Sequence, residues 1–317
     1  MKVIITGGAG FLGQRLAFAL IKNRHKLNFN QLILTDIHCP TSPIDDPRVQ
    51  CLAVDLTQVD AVEKLIDEES DILFHLAAIV SSHAEQEFDL GMNVNFHVTS
   101  SLLEVARNKK PALKFIFSSS LAVFGGKLPE IVTDNYVVNP QSSYGTQKAM
   151  CELMINDYSR RGYVDGRILR LPTISVRAGK PNKAASSFVS DIIREPLNGE
   201  SCICPVSRHL ALWISSPETV ICNLIHAAQM TAEQFTFSRI INLPGISTTV
   251  QEMIDALEEI VGQKAGELIR FEQDEKINRI VSNWPGNFNV SRSLALGFSV
   301  DRSIRDIIHT FLANNTD

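Results

Sequence analysis

The chain has 317 residues, 44% hydrophobic and 21% charged, which is enough apolar material for one large domain with an appended lobe. A net charge of −5 without a sustained basic stripe argues against a nucleic-acid partner, and Arg160-Arg161 reads as a solvated helix end. No apolar run approaches the ~18 residues of a membrane span, and Met1 leads almost directly into an apolar strand with no room for a signal peptide, so a soluble cytoplasmic protein is expected.

In chain order, Lys2 to Thr6 reads as a buried strand and 13 to 22 as a helix. Gly7, Gly10 and Gly13 lie at their junction, with Phe11 and Leu12 between the last two. Such glycines allow a sharp turn, a close approach of backbone to a pyrophosphate, and tight packing of helix on strand, while the helix start offers unpaired N–H groups to phosphates. The next strand, 31 to 36, ends in Asp36, about 20 residues beyond the loop, where a carboxylate accepts hydrogen bonds from ribose hydroxyls and repels a 2′-phosphate. The cofactor expected is therefore NAD rather than NADP.

Further strands at 49 to 54, 71 to 76, 113 to 119 and 166 to 171 alternate with helical patterns at 59 to 68, 90 to 107 and 144 to 160. This repetition predicts an α/β fold with a doubly wound parallel sheet of the Rossmann type. The division expected is a nucleotide-binding domain over 1–172 and a smaller, mainly substrate-binding lobe over 173–317, with segments such as 211 to 214 and 239 to 243 free to return to either part. Thr249 and Glu252 have capping-box spacing. The six cysteines lack paired Cys-x-x-Cys spacing, so no metal is expected, and Cys202 and Cys204 read as alternating residues of one strand.

Two segments carry the chemistry. The fifth strand ends in Ser118-Ser119-Ser120, and the helix that follows opens with Tyr144 and Lys148 as i,i+4 neighbours. A phenol with an ordinary pKa near 10 is a poor base at neutral pH; a nearby ammonium and an oxidised nicotinamide would pull it down, leaving a serine hydroxyl to hold a substrate alcohol. For substrate, the loop after strand four (Ser81, Ser82, His83) and the loop after strand six (Thr173, Arg177, Lys180, Asn182) lie outside the strand ends where such sheets bind ligands, with Ser82 and Arg177 the first candidates. His75 reads as structural.

The glycine loop, Asp36, Asp55-Leu56, His75-Leu76-Ala77-Ala78, Asn93, the serine run, Tyr144 to Lys148, and Leu294 to Phe298 occur in an order that resembles the extended short-chain dehydrogenase/reductase family over nearly the whole chain. The resemblance implies adenine contacts from Asp55 and Leu56, and further NAD contacts from Leu76, Ala77, Ala78, Asn93, Tyr144 and Lys148. It aligns Ser120 with the catalytic hydroxyl residue, with Ser119 as the alternative if the register slips. It also implies a homodimer paired through the helices at 90 to 107 and 144 to 160. Within the family, the segments 78 to 85, 120 to 126, 140 to 148 and 170 to 177 resemble sugar-acid dehydrogenases, implying oxidation at C2 of a four-carbon acid. A nucleotide-sugar epimerase or dehydratase with tightly held NAD is the alternative, and a non-catalytic NAD sensor the third reading.

Overall fold

The computed structural model describes residues 1–22, 27–58, 60–179, 183–235 and 238–314. Its strands are Lys2–Thr6 (β1), Gln31–Asp36 (β2), Val49–Ala53 (β3), Ser70–His75 (β4), Lys114–Ser120 (β5), Asp165–Leu171 (β6), Thr173–Ile174 (β7), Cys202–Cys204 (β8), Ala211–Ser215 (β9), Ile240–Asn242 (β10), Ile246–Thr249 (β11) and Ile269–Phe271 (β12). Seven form a parallel sheet in the order β10-β6-β5-β4-β1-β2-β3. The chain reverses its direction of winding between β1 and β4, which opens a crevice at their carboxyl ends. Register keeps those ends level, since Thr6 is paired with both Thr35 and His75.

The reason for the sheet is visible in β1. Val3, Ile4 and Ile5 are each fully buried, and their side chains alternate between two cores. Val3 and Ile5 meet Leu16 and Leu20 of the Phe11–Ile21 helix and Val220 and Leu224 of the Pro217–Gln229 helix. Ile4 faces Leu102 and Leu103 of the Val98–Lys109 helix and Ile155 of the Ser143–Arg160 helix. Each such side chain contributes roughly 1.5–3 kcal/mol by leaving water, so the apolar strand requires helices on both faces.

The smaller core gathers the Phe188–Leu197, Val250–Val261 and Ile304–Asn314 helices around a three-stranded sheet, β11-β9-β7, and a two-stranded one, β12-β8. The two open segments of the sequence thus part company: β9 stays with this lobe, while β10 returns to the edge of the large sheet beside β6. Cys202 and Cys204 are both buried with Ile203 exposed between them, as strand alternation requires. Thr249 and Glu252 form the full capping box.

Two helices differ from the sequence pattern. The one expected over 59 to 68 is only Ala61–Leu65, because Ile66 is extended and Asp67 binds Ser70 Oγ and the Glu69 N–H in a turn. The one expected over 90 to 107 begins as Phe88–Gly91, passes through a π-helical stretch at Met92–His97, and becomes α-helical at Val98.

Candidate active site

The glycine loop is shaped by contacts that exclude a side chain. Gly7 has φ +74°, and a Cβ there would lie 2.7 Å from Ala77 N and 2.8 Å from Leu76 C. A Cβ on Gly13 would lie 2.2 Å from Gly7 O, so the first turn of the Phe11–Ile21 helix sits directly on the loop. That helix start has no side-chain cap and no acid in its first turn, leaving its N–H groups and partial positive charge to an incoming anion. In front of it lies a cavity of about 350 Å³, whose wall includes Gly7, Gly10, Asp36, Asp55, Leu56, Leu76, Ala77 and Ala78. Asp36 accepts the Ala9 N–H at 3.1 Å and the Ile37 N–H at 2.8 Å, which fixes its carboxylate at the mouth of β2. Hydrogen bonds from the Thr57 hydroxyl and N–H and from Gln58 hold the Asp55 carboxyl below its ordinary pKa. An uncapped helix start, a side-chain-free loop and two carboxylates in one cleft fit a dinucleotide with its phosphates on the loop.

Not every expected cofactor residue joins this wall. Leu12 faces a second cavity, and Phe11 lies under the Arg15 guanidinium, 4.8 Å from the ring centroid. Asn93 is exposed and is not in the wall of either cavity. The π-helical stretch turns Asn95 inward instead. Asn95 is buried, accepts the Ile79 N–H at 2.8 Å, donates to Ile79 O at 3.0 Å and donates to Gln147 Oε1 at 2.7 Å. It thereby ties the segment after β4 to the helix that bears Tyr144. The Thr99 hydroxyl bonded to Asn95 O, four residues on, is the sequence signal that could have chosen Asn95.

The second cavity, about 200 Å³, shares Leu76 and Ala78 with the first and is lined by Ser120, Tyr144, Lys148, Thr173 and Arg177 among others. The structure brings this expected group together from the ends of β5 and β6 and from one face of the Ser143–Arg160 helix. Ser142 caps that helix by accepting the Gly145 N–H at 3.2 Å. Ser120 Oγ accepts the Ala122 N–H at 3.1 Å and is hydrogen-bonded to the Tyr144 hydroxyl. Ser119 points the other way: its hydroxyl donates to Glu152 Oε1 at 2.6 Å, and Glu152 is held by Arg170 at 2.6 Å. Ser119 also lines the cavity, but with its hydroxyl engaged by Glu152 it is Ser120 whose oxygen stands beside the Tyr144 hydroxyl.

Dense packing pushes the Tyr144 phenol up to about 12, with the Ser120 hydrogen bond acting in the opposite sense. Burial also lowers Lys148 to about 8, opposed by Cys151 and Glu152. The Lys148 ammonium sits 4.5 Å from the Phe117 ring centroid and 5.7 Å from that of Tyr144. Among the protein's own groups, desolvation of the phenolate outweighs the Ser120 hydrogen bond at Tyr144. His75 is buried between Thr6 Oγ1 at 2.7 Å and Thr99 Oγ1 at 2.9 Å and is held neutral, its pKa lowered to about 3 by burial and then by Lys148.

Arg177 is anchored through its backbone, which donates to Ser190 Oγ at 3.0 Å and accepts from Arg194 at 2.8 Å. Its guanidinium has no hydrogen-bond or ion-pair partner among the described residues; burial lowers its pKa, opposed by the charge of Asp191. Ser82 does not line the cavity; Ser81 does, with its oxygen accepting the Ala185 N–H at 2.9 Å. The one-residue displacement follows from the Ser81–Gln86 helix, which buries Ser81 and Ala84 on one face. Lys180 and Asn182 lie outside the described residues. Sequence reasoning missed Ser186 and Trp284, which also line the cavity, because no local motif marks them.

The NAD dependent epimerase/dehydratase family matches residues 3–212. The chain is similar to D-erythronate dehydrogenase of Haemophilus influenzae, 54% identical over 312 residues that cover 98% of this chain and 99% of that protein. It is also similar to D-erythronate dehydrogenase of Cupriavidus necator, 45% identical over 319 residues covering 98% of each. Among solved structures, it superposes with a TM-score of 0.94 on the nucleoside-diphosphate-sugar epimerase from Agrobacterium tumefaciens, at 39% identity, covering 100% of this chain and 94% of that one.

Proposed function

The chain belongs to the NAD dependent epimerase/dehydratase family and is an NAD-dependent oxidoreductase; from that premise we propose that it oxidises the C2 hydroxyl of D-erythronate to the 2-oxo acid. The observation that carries this reading is the Arg177 guanidinium lining the same small cavity as Ser120, Tyr144 and Lys148. A half-buried cation that lines a cavity, with no hydrogen-bond or ion-pair partner among the described residues, suits an anionic ligand. Its neighbours are an alcohol-binding serine and a potential base, so the anion is the carboxylate of a hydroxy acid.

NAD supplies the hydride acceptor when bound, held through Gly7, Gly10 and the helix start, with Asp36 and Asp55 toward its adenosine end. Ser120 holds the C2 oxygen by a hydrogen bond. Tyr144, as phenolate, takes the hydroxyl proton onto its own oxygen, and the Lys148 ammonium stabilises that phenolate before transfer. Arg177 fixes the carboxylate and so selects which hydroxyl faces Tyr144. The alternative, a nucleotide-sugar epimerase, is favoured by the Agrobacterium tumefaciens superposition. A cavity of about 200 Å³ is small for a nucleotide sugar, since sites for drug-sized ligands span roughly 300–1,000 Å³. A cofactor sensor would not need the joint Ser120, Tyr144 and Lys148 arrangement.

Replacing Arg177 with Met tests the reading. Hydrogen bonds to charged groups are worth about 1.5–3 kcal/mol, so KM for D-erythronate should rise about ten- to a hundredfold while KM for NAD holds. An unchanged KM for the acid would remove Arg177 from the site. The reading extends to a homodimer: Leu153 is 67% exposed on the Ser143–Arg160 helix, and Phe88 is 55% exposed on the helix packed beside it. Sedimentation at micromolar concentration should give a dimeric mass; a monomer would refute the assembly.

A further inference from the structure

The wall of the substrate cavity is built almost wholly from the strand ends and loops between Leu12 and Ser186. Among the described residues, Trp284 is the contribution from beyond Ser186. It follows the Glu275–Val281 helix, and its backbone N–H donates to Val281 O at 3.1 Å. Its side chain packs against both the small-lobe core and an aromatic cluster containing Phe124, Trp213 and Phe288. In that cluster the Phe288 ring centroid lies 5.3 Å from Trp213 and 5.6 Å from Phe124. Packing against two groups restrains the half-buried indole, since swinging it aside would give up contacts with both.

The reactive groups fix one end of a hydroxy acid: Arg177 takes C1, while Ser120 and Tyr144 take the adjacent C2 oxygen. Every carbon added to the acid then extends toward the rest of the wall. An indole face accepts C–H groups but offers no hydrogen bond to a further hydroxyl pressed against it, and a bulky fixed ring leaves no room to grow. We propose that Trp284 sets the chain-length limit of the site, admitting a four-carbon sugar acid and rejecting its longer homologues. The proposal rests on the sugar-acid reading and adds the residue that measures the substrate.

The test compares kcat/KM for D-erythronate and for D-gluconate, which has the same configuration at C2, in the wild type, Trp284→Ala and Trp284→Phe, with NAD binding measured in each. Pocket-shape discrimination is typically ten- to about two-hundredfold. Trp284→Ala should therefore shift the gluconate-to-erythronate ratio upward by about tenfold or more, with Trp284→Phe between it and the wild type. An unchanged ratio in Trp284→Ala, with NAD binding retained, overturns the proposal. Should Trp284→Ala lose its fold, Trp284→Phe carries the test, a rise of a few-fold supporting the limit and no rise overturning it. A wild type that oxidises both acids equally well refutes the limit alone. A wild type inert toward D-erythronate refutes the sugar-acid reading, and the limit with it.

Discussion

Tyr144 and Lys148 were legible as a pair because helical spacing alone places residues four apart on one face. The protonation state was not legible, since it depends on desolvation contributed by strands and loops far away in sequence. A phenol pushed up to about 12 loses its proton more readily as pH rises, so oxidation should speed up from neutral toward alkaline pH. Lys148, lowered to about 8, loses its stabilising charge over the same range and caps that rise. Tyr144→Phe should remove the pH limb and lower kcat by about 10²- to 10⁴-fold with NAD binding retained. Retention of most of kcat would exclude Tyr144 as the base. Ser119 and Ser82 show what single-residue reasoning lacks. Ser82 is one position from Ser81, which lines the cavity, and Ser119 lines it beside Ser120 with its hydroxyl turned to Glu152; only strand pleat or helix phase, set by packing, decides where each hydroxyl points.

At the level of elements, the strand-glycine-helix junction was readable because backbone geometry itself demands glycine there. The π-helical stretch at Met92–His97 was not, and within it Asn95 is buried while Asn93 is exposed. Nothing in local apolar spacing marks an extra residue in a helical turn. His75 joins three elements, bonding Thr6 at the end of β1 and Thr99 on the Val98–Lys109 helix from its own place at the end of β4. An unfolded chain protonates this histidine below an ordinary pKa of 6.5, whereas the folded one resists until about 3. Between those values the unfolded state binds more protons, so stability falls as pH falls. For a fully buried ring the loss is on the order of 4 kcal/mol. Denaturant titrations from pH 7 to pH 4 should show that decline, and His75→Gln should flatten it. An equal slope in both proteins would place the acid sensitivity elsewhere.

On the scale of the whole molecule, the parallel sheet was readable from alternating strand and helix periods, and the crevice between β1 and β4 follows from its strand order. The return of β10 to the sheet and the approach of Trp284 to the cavity were not, because both are long-range contacts that no local pattern encodes. In the proposed reading one lobe presents the acceptor site and the base, and the other helps to close the space left for the acid. The central claim is net oxidation of a small sugar acid, as opposed to a cycle that returns its cofactor unchanged. The most direct test is NADH accumulation when the purified wild-type chain meets NAD and D-erythronate. One NADH per acid consumed, with the 2-oxo acid as product, is the predicted result. No NADH with D-erythronate, together with conversion of a nucleotide sugar without net NADH, would contradict it.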